Sequence, residues 1–195
     1  MPQYMDILKQ KSYQILQMPL DVMSNLFELS ESEIKEFYKW FLSIKEDRLE
    51  YLCEFIFNSS SKYIDESKLD VIESVLKQFV LTRKQSVKEK RGIISKILFQ
   101  ERKFVLDDIT MSICYDLGIY LGELIISLDS SIKWQQEIDQ RFVDYGQPIL
   151  FKKEIKLGLS PFRVVRIMAA KIYDGTYIDG GVSNVFSAWK RGYQV

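Results

Sequence analysis

The chain has 195 residues, 47 % of them apolar and 28 % charged, with 27 basic side chains balanced by 27 acidic ones. That composition suits a single globular domain with a sizeable core, argues against disorder and names no partner by net charge. Histidine is absent, which excludes Ser-His-Asp and Cys-His catalytic sets, the two-histidine zinc motif and zinc-finger spacings in one step.

The reading is one domain over 1–195, of the α+β class and predominantly α-helical, with a natural subdivision into a helical part (1–82) and an α+β part (104–195). Met1-Pro2-Gln3-Tyr4 opens no basic-then-apolar signal, so a cytoplasmic location is expected. Asp6 to Gln17 carries Ile7, Leu8, Tyr13, Ile15 and Leu16 and predicts a short amphipathic helix stopped by Pro19. Leu20 to Leu29 places Val22, Met23, Leu26 and Phe27 on one helical face. Ser30 and Glu33 match a capping box, leading into Ile34, Phe37, Tyr38, Phe41 and Leu42. Ser43 with Glu46 repeats that signal before Leu49, Leu52, Cys53, Ile56 and Phe57, so two helices are expected within 31–57 rather than one.

Asn58 to Ser61 is a polar loop, and Lys68 to Leu81 returns to helical spacing through Leu69, Ile72, Val75, Leu76, Phe79 and Val80. Arg83 to Lys103 then holds eight basic residues against Glu89 and Glu101, with a short helix expected around Ile93 to Phe99. Asp107 and Asp108 supply an N-cap and favourable negative charge for a long helix through Ile109, Ile113, Leu117, Leu121, Leu124 and Leu128. A short antiparallel β element is expected near 132–152. Ile132, Trp134 and Gln136 alternate with Lys133, Gln135 and Glu137, Asp144-Tyr145-Gly146 turns, and Pro148 to Phe151 returns. Ser160-Pro161 opens a further helix ended by Gly175, and a last one follows Gly180-Gly181 through Val185, Phe186 and Trp189.

The long helix is nearly apolar enough to span a membrane, but Asp116 and Glu123 would each cost a few kcal/mol at a bilayer centre. It reads as a central core helix, and no transmembrane segment is expected. Gly118 and Gly122 share one of its faces and permit close approach of another helix or of the strand bearing Trp134. Asp116, Tyr120 and Glu123 also share a face, at i, i+4 and i+7. One reading makes them a carboxylate site for a metal, a basic ligand or a partner's lysines. Two turns hold the carboxylates roughly 10 Å apart along the axis, too far to grip one ion alone. The other reading is a polar face paired with Arg163 or Arg166. Cys53 and Cys114 sit among apolar neighbours, as buried thiols do. Asp174 to Gly181 lacks the alternating oxygen ligands of a calcium loop and reads as a turn. No cofactor, metal site or catalytic residue is assigned.

Asp116-Leu-Gly-Ile-Tyr-Leu-Gly-Glu123, followed by Lys133-Trp134 and Asp144-Tyr-Gly-Gln-Pro148, resembles small uncharacterised bacterial proteins of low-GC Gram-positive organisms with a GxYLGE…W…P pattern. The resemblance covers roughly 107–170. It implies an immunity-like or accessory role beside a toxin and carries over no catalytic residue. The leading expectation is therefore a non-enzymatic protein-binding module with a protein partner, Asp116, Tyr120, Glu123 and Trp134 being its candidate binding residues. Two alternatives stand beside it. One is a carboxylate-dependent enzyme or small-ligand binder using Asp116 and Glu123. The other is a nucleic-acid-binding protein working through 83–103, which is not favoured because that segment lacks interleaved aromatics and a known motif.

Overall fold

A computed structural model describes residues 13–19, 26–59, 64–90 and 106–195, with 82–90 described by their backbone alone. Among them run five helices, α1 (Glu31–Phe57), α2 (Leu69–Lys90), α3 (Asp108–Leu128), α4 (Pro161–Asp174) and α5 (Gly181–Tyr193). Three strands complete the elements: β1 (Lys133–Gln136), β2 (Pro148–Lys152) and β3 (Leu157–Leu159). The chain is thus predominantly helical α+β, as its sequence pattern indicates.

The capping box at Ser30 forms: its hydroxyl accepts from the Glu33 amide (3.3 Å), and its own amide donates to Glu33 Oε2 (2.8 Å). The second start at Ser43 does not. Helix α1 runs unbroken for 27 residues, because the Ser43 hydroxyl donates back to the Trp40 carbonyl (2.7 Å) instead of capping a new turn. The buried stripe of Phe37, Phe41, Leu49, Leu52 and Ile56 continues straight past it. Asn58 ends the helix in the left-handed region, φ 51°.

The helix expected over Asp6–Gln17 is corrected where it can be seen. Residues 13–18 are not helical: the amides of Gln14 and Leu16 and the carbonyl of Gln14 bond to side chains of α1 and α3. Residues 6–12 lie outside the described residues. Of Leu20–Leu29, Leu26–Glu28 forms a single 3-10 turn, and 20–25 lie outside the description. Helix α2 continues past Leu81 to Lys90, and the rest of the basic segment, 91–103, lies outside it too, including the helix expected around 93–99.

Helix α3 is the hub, packing against α1, α2, α4 and α5. Asp107 caps it by accepting from the Thr110 amide at 2.8 Å. By length and composition α3 could cross a membrane, yet 83 % of its apolar stretch is buried by the rest of the chain, as in a core helix. Cys53 and Cys114 are buried in the same core and form no disulfide.

The strands form an antiparallel meander, β1-β2-β3, with Trp134 opposite Leu150 and Leu150 opposite Leu159. Strand β3 is absent from the sequence expectation because three residues, Leu-Gly-Leu, carry no readable alternation. Ser160 and Pro161 start α4, and Gly175 ends it at φ 78°. Helix α5 has no side-chain cap of its own at Gly180. Glu73 of α2 supplies one, accepting from the amides of Gly180 (2.9 Å) and Val182 (3.0 Å).

The paired glycines of α3 serve two neighbours. A Cβ on Gly118 would stand 2.6 Å from Phe162 of α4, and one on Gly122 would stand 2.2 Å from Trp134 of β1. Both distances are impossible without displacement of the ring. Gly122→Ala is expected to lower stability by about 1–3 kcal/mol through overpacking, despite alanine's better helix propensity. Urea unfolding followed by tryptophan fluorescence checks this, and an unchanged midpoint would show that the ring moves freely.

Candidate functional site

Asp116, Tyr120 and Glu123 of α3 each find different partners. Asp116, wholly buried, receives Arg48 of α1 in a two-pronged pair, Nε to Oδ1 at 2.9 Å and Nη2 to Oδ2 at 2.5 Å. The Tyr13 hydroxyl donates to Oδ2 of the same carboxylate. Arg48 Nη2 also donates to the Gln14 carbonyl (3.1 Å), and its guanidinium lies 5.0 Å from the Tyr51 ring centre. The Tyr13 ring is enclosed edge-on by Tyr51 (5.2 Å), Phe55 (4.9 Å) and Phe79 (5.5 Å).

Burial pushes the Asp116 carboxyl up to about 6, against the downward pull of Arg48 and the Tyr13 hydroxyl. The Tyr13 phenol is held well above its ordinary value, by burial first and by the neighbouring carboxylate second. For Arg48 burial works against the charge, but its bonds to Asp116 outweigh that and hold it above the usual value.

Tyr120, one turn on, bonds the turn ahead of α2. Its hydroxyl accepts from the Asp65 amide (3.1 Å) and donates to the Asp65 carbonyl (3.2 Å). Glu123 Oε1 accepts from Trp134 Nε1 (2.8 Å) and from Lys45 Nζ (3.0 Å). The Trp134 carbonyl in turn accepts from the Tyr38 hydroxyl at 2.9 Å. Of the four candidate residues, the fold therefore joins Glu123 to Trp134 directly and sends Asp116 and Tyr120 to separate partners. The cations that meet the α3 carboxylates are Arg48 and Lys45, whereas Arg163 pairs with Asp144 at 3.0 Å. Arg48 had a signal in the sequence: it sits in the apolar stripe of α1 between Ile44 and Leu52, four residues from each, where a cation calls for a buried partner. Among the described residues no three metal-ligating side chains gather.

A second feature lies at the surface. The connection from β1 to β2 is ordered by its own bonds. Gly146 donates to the Glu137 carbonyl (2.7 Å), the Glu137 amide to Gln147 (3.0 Å), and Arg141 grips Asp139 through Nε and Nη2. Tyr145 is buried beneath it, with Phe27 stacked on its ring at 5.4 Å. On this frame stand Ile138, Phe142 and Val143, exposed by 73 %, 56 % and 66 %. Three large apolar side chains within six residues of this loop form an exposed apolar tip that the packing of the described residues does not cover.

Compared with known proteins, the chain matches no family model, no curated protein and no solved structure.

The pair at Asp116 makes stability depend on pH. Its folded-state pKa near 6 lies above the ordinary 3.8, so the folded chain holds this proton more tightly than the unfolded one does. The group's contribution is full below about pH 4 and is lost as pH rises to about 6. Arg48→Met removes the cation that pulls the pKa down, which deepens the loss and carries it above pH 6. A deficit of about 3–5 kcal/mol is expected near pH 7.5, shrinking near pH 5 where the stranded carboxyl keeps its proton. Urea unfolding at both pH values checks this, and an equal deficit at both would mean that Arg48 acts by packing alone.

Proposed function

We propose that this chain is a non-enzymatic protein-binding module, of the kind that an immunity or accessory protein beside a toxin would be, and that the β1–β2 connection, residues 137–147, is its contact surface. The observation that carries the reading is the apolar tip of Ile138, Phe142 and Val143 on a loop tied by its own hydrogen bonds. A pre-ordered loop loses little entropy on docking, and large apolar side chains held in place make effective anchors. Acidic and basic groups alternate with the anchors, and Arg141 and Arg163 already answer Asp139 and Asp144. Such a mixed-charge rim around an apolar centre is the usual anatomy of a protein interface.

The carboxylates of α3 support the same reading from the other side. Asp116 and Glu123 are each engaged by a cation of α1 and a ring of another segment, so their chemistry is spent on holding elements together.

The test is affinity capture of a partner from native cells by the full chain, set against a Phe142→Asp/Val143→Asp variant. These positions are exposed, so the variant is expected to keep its fold within about 0.5 kcal/mol. Stoichiometric capture by the parent and a loss of about a hundredfold or more by the variant are expected, the scale of removing two anchors. Equal capture by both would place the interface elsewhere, and a chain that captures nothing would overturn the binding reading.

A further inference from the structure

Residues 13–18 touch α1, α2 and α3 as a non-helical strap, and the described hydrogen bonds that hold it come from helix side chains. The Tyr51 hydroxyl accepts the Gln14 amide (2.7 Å), Arg48 donates to the Gln14 carbonyl (3.1 Å), and Ser112 Oγ accepts the Leu16 amide (2.9 Å). Backbone held this way is bound alike whatever side chains it carries at the outward positions, here the exposed Gln14, Ile15 and Gln17. Selectivity sits at Tyr13, whose ring fills the enclosure of Tyr51, Phe55 and Phe79 and whose hydroxyl meets Asp116.

The charge pair of the seat is formed between α1 and α3, and the strap adds to it. Arg48 and Asp116 already satisfy each other through two bonds, and Ser112 Oγ donates to the Asp108 carbonyl at 2.6 Å. The ion pair and the rings of Tyr51, Phe55 and Phe79 all belong to α1, α2 and α3, so the seat is built by the helices and not by the strap. We propose that this seat is a binding site for an extended peptide segment bearing a tyrosine, filled in cis by residues 13–18 and open in trans to a partner segment of the same chemistry. It is a second surface, and it stands independently of the 137–147 loop. The chemistry is selective: phenylalanine lacks the donor that the carboxylate uses, and phosphotyrosine would press its negative charge onto buried Asp116.

The experiment uses the full chain with a fluorophore on Gln17→Cys, an exposed position, while the buried Cys53 and Cys114 are shielded from the label. A peptide with the sequence of residues 12–19 is titrated in, alongside versions with phenylalanine or phosphotyrosine in place of its tyrosine. Tyr13→Phe in the labelled chain keeps the ring and loosens the strap, and it offsets the strap's effective concentration, which is about millimolar for a short tether. The tyrosine peptide should displace the strap saturably, at about tenfold lower concentration in the Tyr13→Phe chain, in keeping with the loss of one hydrogen bond to a charged group. The phenylalanine peptide should be weaker by about the same factor, and the phosphotyrosine peptide should not compete. No saturable displacement from a folded Tyr13→Phe chain, or equal potency of the tyrosine and phenylalanine peptides, would overturn the proposal.

Discussion

The joint between α1 and α3 turns on the Arg48–Asp116 pair. Two charges withdrawn from water are costly, and they persist because the guanidinium and carboxylate meet along two bonds and because the Tyr13 hydroxyl occupies a further acceptor site. That geometry fixes more than a contact. It sets the rotation of α1 about its axis, since Arg48 must face Asp116, and it carries Phe41, Leu49, Leu52 and Ile56 inward on the same face. It also places Arg48 where it meets the strap at residues 13–18, whose backbone bonds to Arg48, Tyr51 and Ser112.

From that joint the rest is arranged by close approach along α3. Gly118 lets Phe162 sit against the helix, and Gly122 admits Trp134, whose indole nitrogen then reaches Glu123. Phe162 stacks on Tyr115 at 4.3 Å and on Trp134 at 5.6 Å, so helix, helix and strand meet in one aromatic layer. The sheet is small, and it is tied to the helical body by this layer, by the Tyr38 and Gln136 bonds, and by the Tyr193 hydroxyl of α5, which donates to the Leu150 carbonyl at 2.7 Å.

What could be read in advance was whatever depends on neighbours in sequence. The Ser30 box, the Asp107 cap, the Ser160-Pro161 start and the Gly175 stop are local devices, and each works as its residues dictate. The glycine spacing on α3 correctly announced a close partner, down to the strand of Trp134. Ser43 misled because a serine hydroxyl can bond forward as a cap or backward to its own helix, and nothing local chooses between them. The strap misled because Ile15 and Leu16 mimic helical spacing while their backbone is claimed by helices far along the chain. Arg48 for Asp116, Asp65 for Tyr120 and Lys45 for Glu123 were out of reach for the same reason, being 68, 55 and 78 residues away. The exposed tip at 138–143 has no period to betray it. Its meaning appears only once Tyr145 is seen buried beneath it.

The cap that Glu73 lends to α5 has a consequence for how the chain can be taken apart. Gly180 and Gly181 bring no capping side chain and much backbone freedom to lose, so the first turn of α5 is helical on terms set by α2. Lys77 binds both Glu73 and Asp179, adding a second tie across the same junction. Helix α5 is thus not a portable module. Cut from α2, it would lose the anion that holds its amides and a helix it packs against, so its first turn has no stability separate from α2.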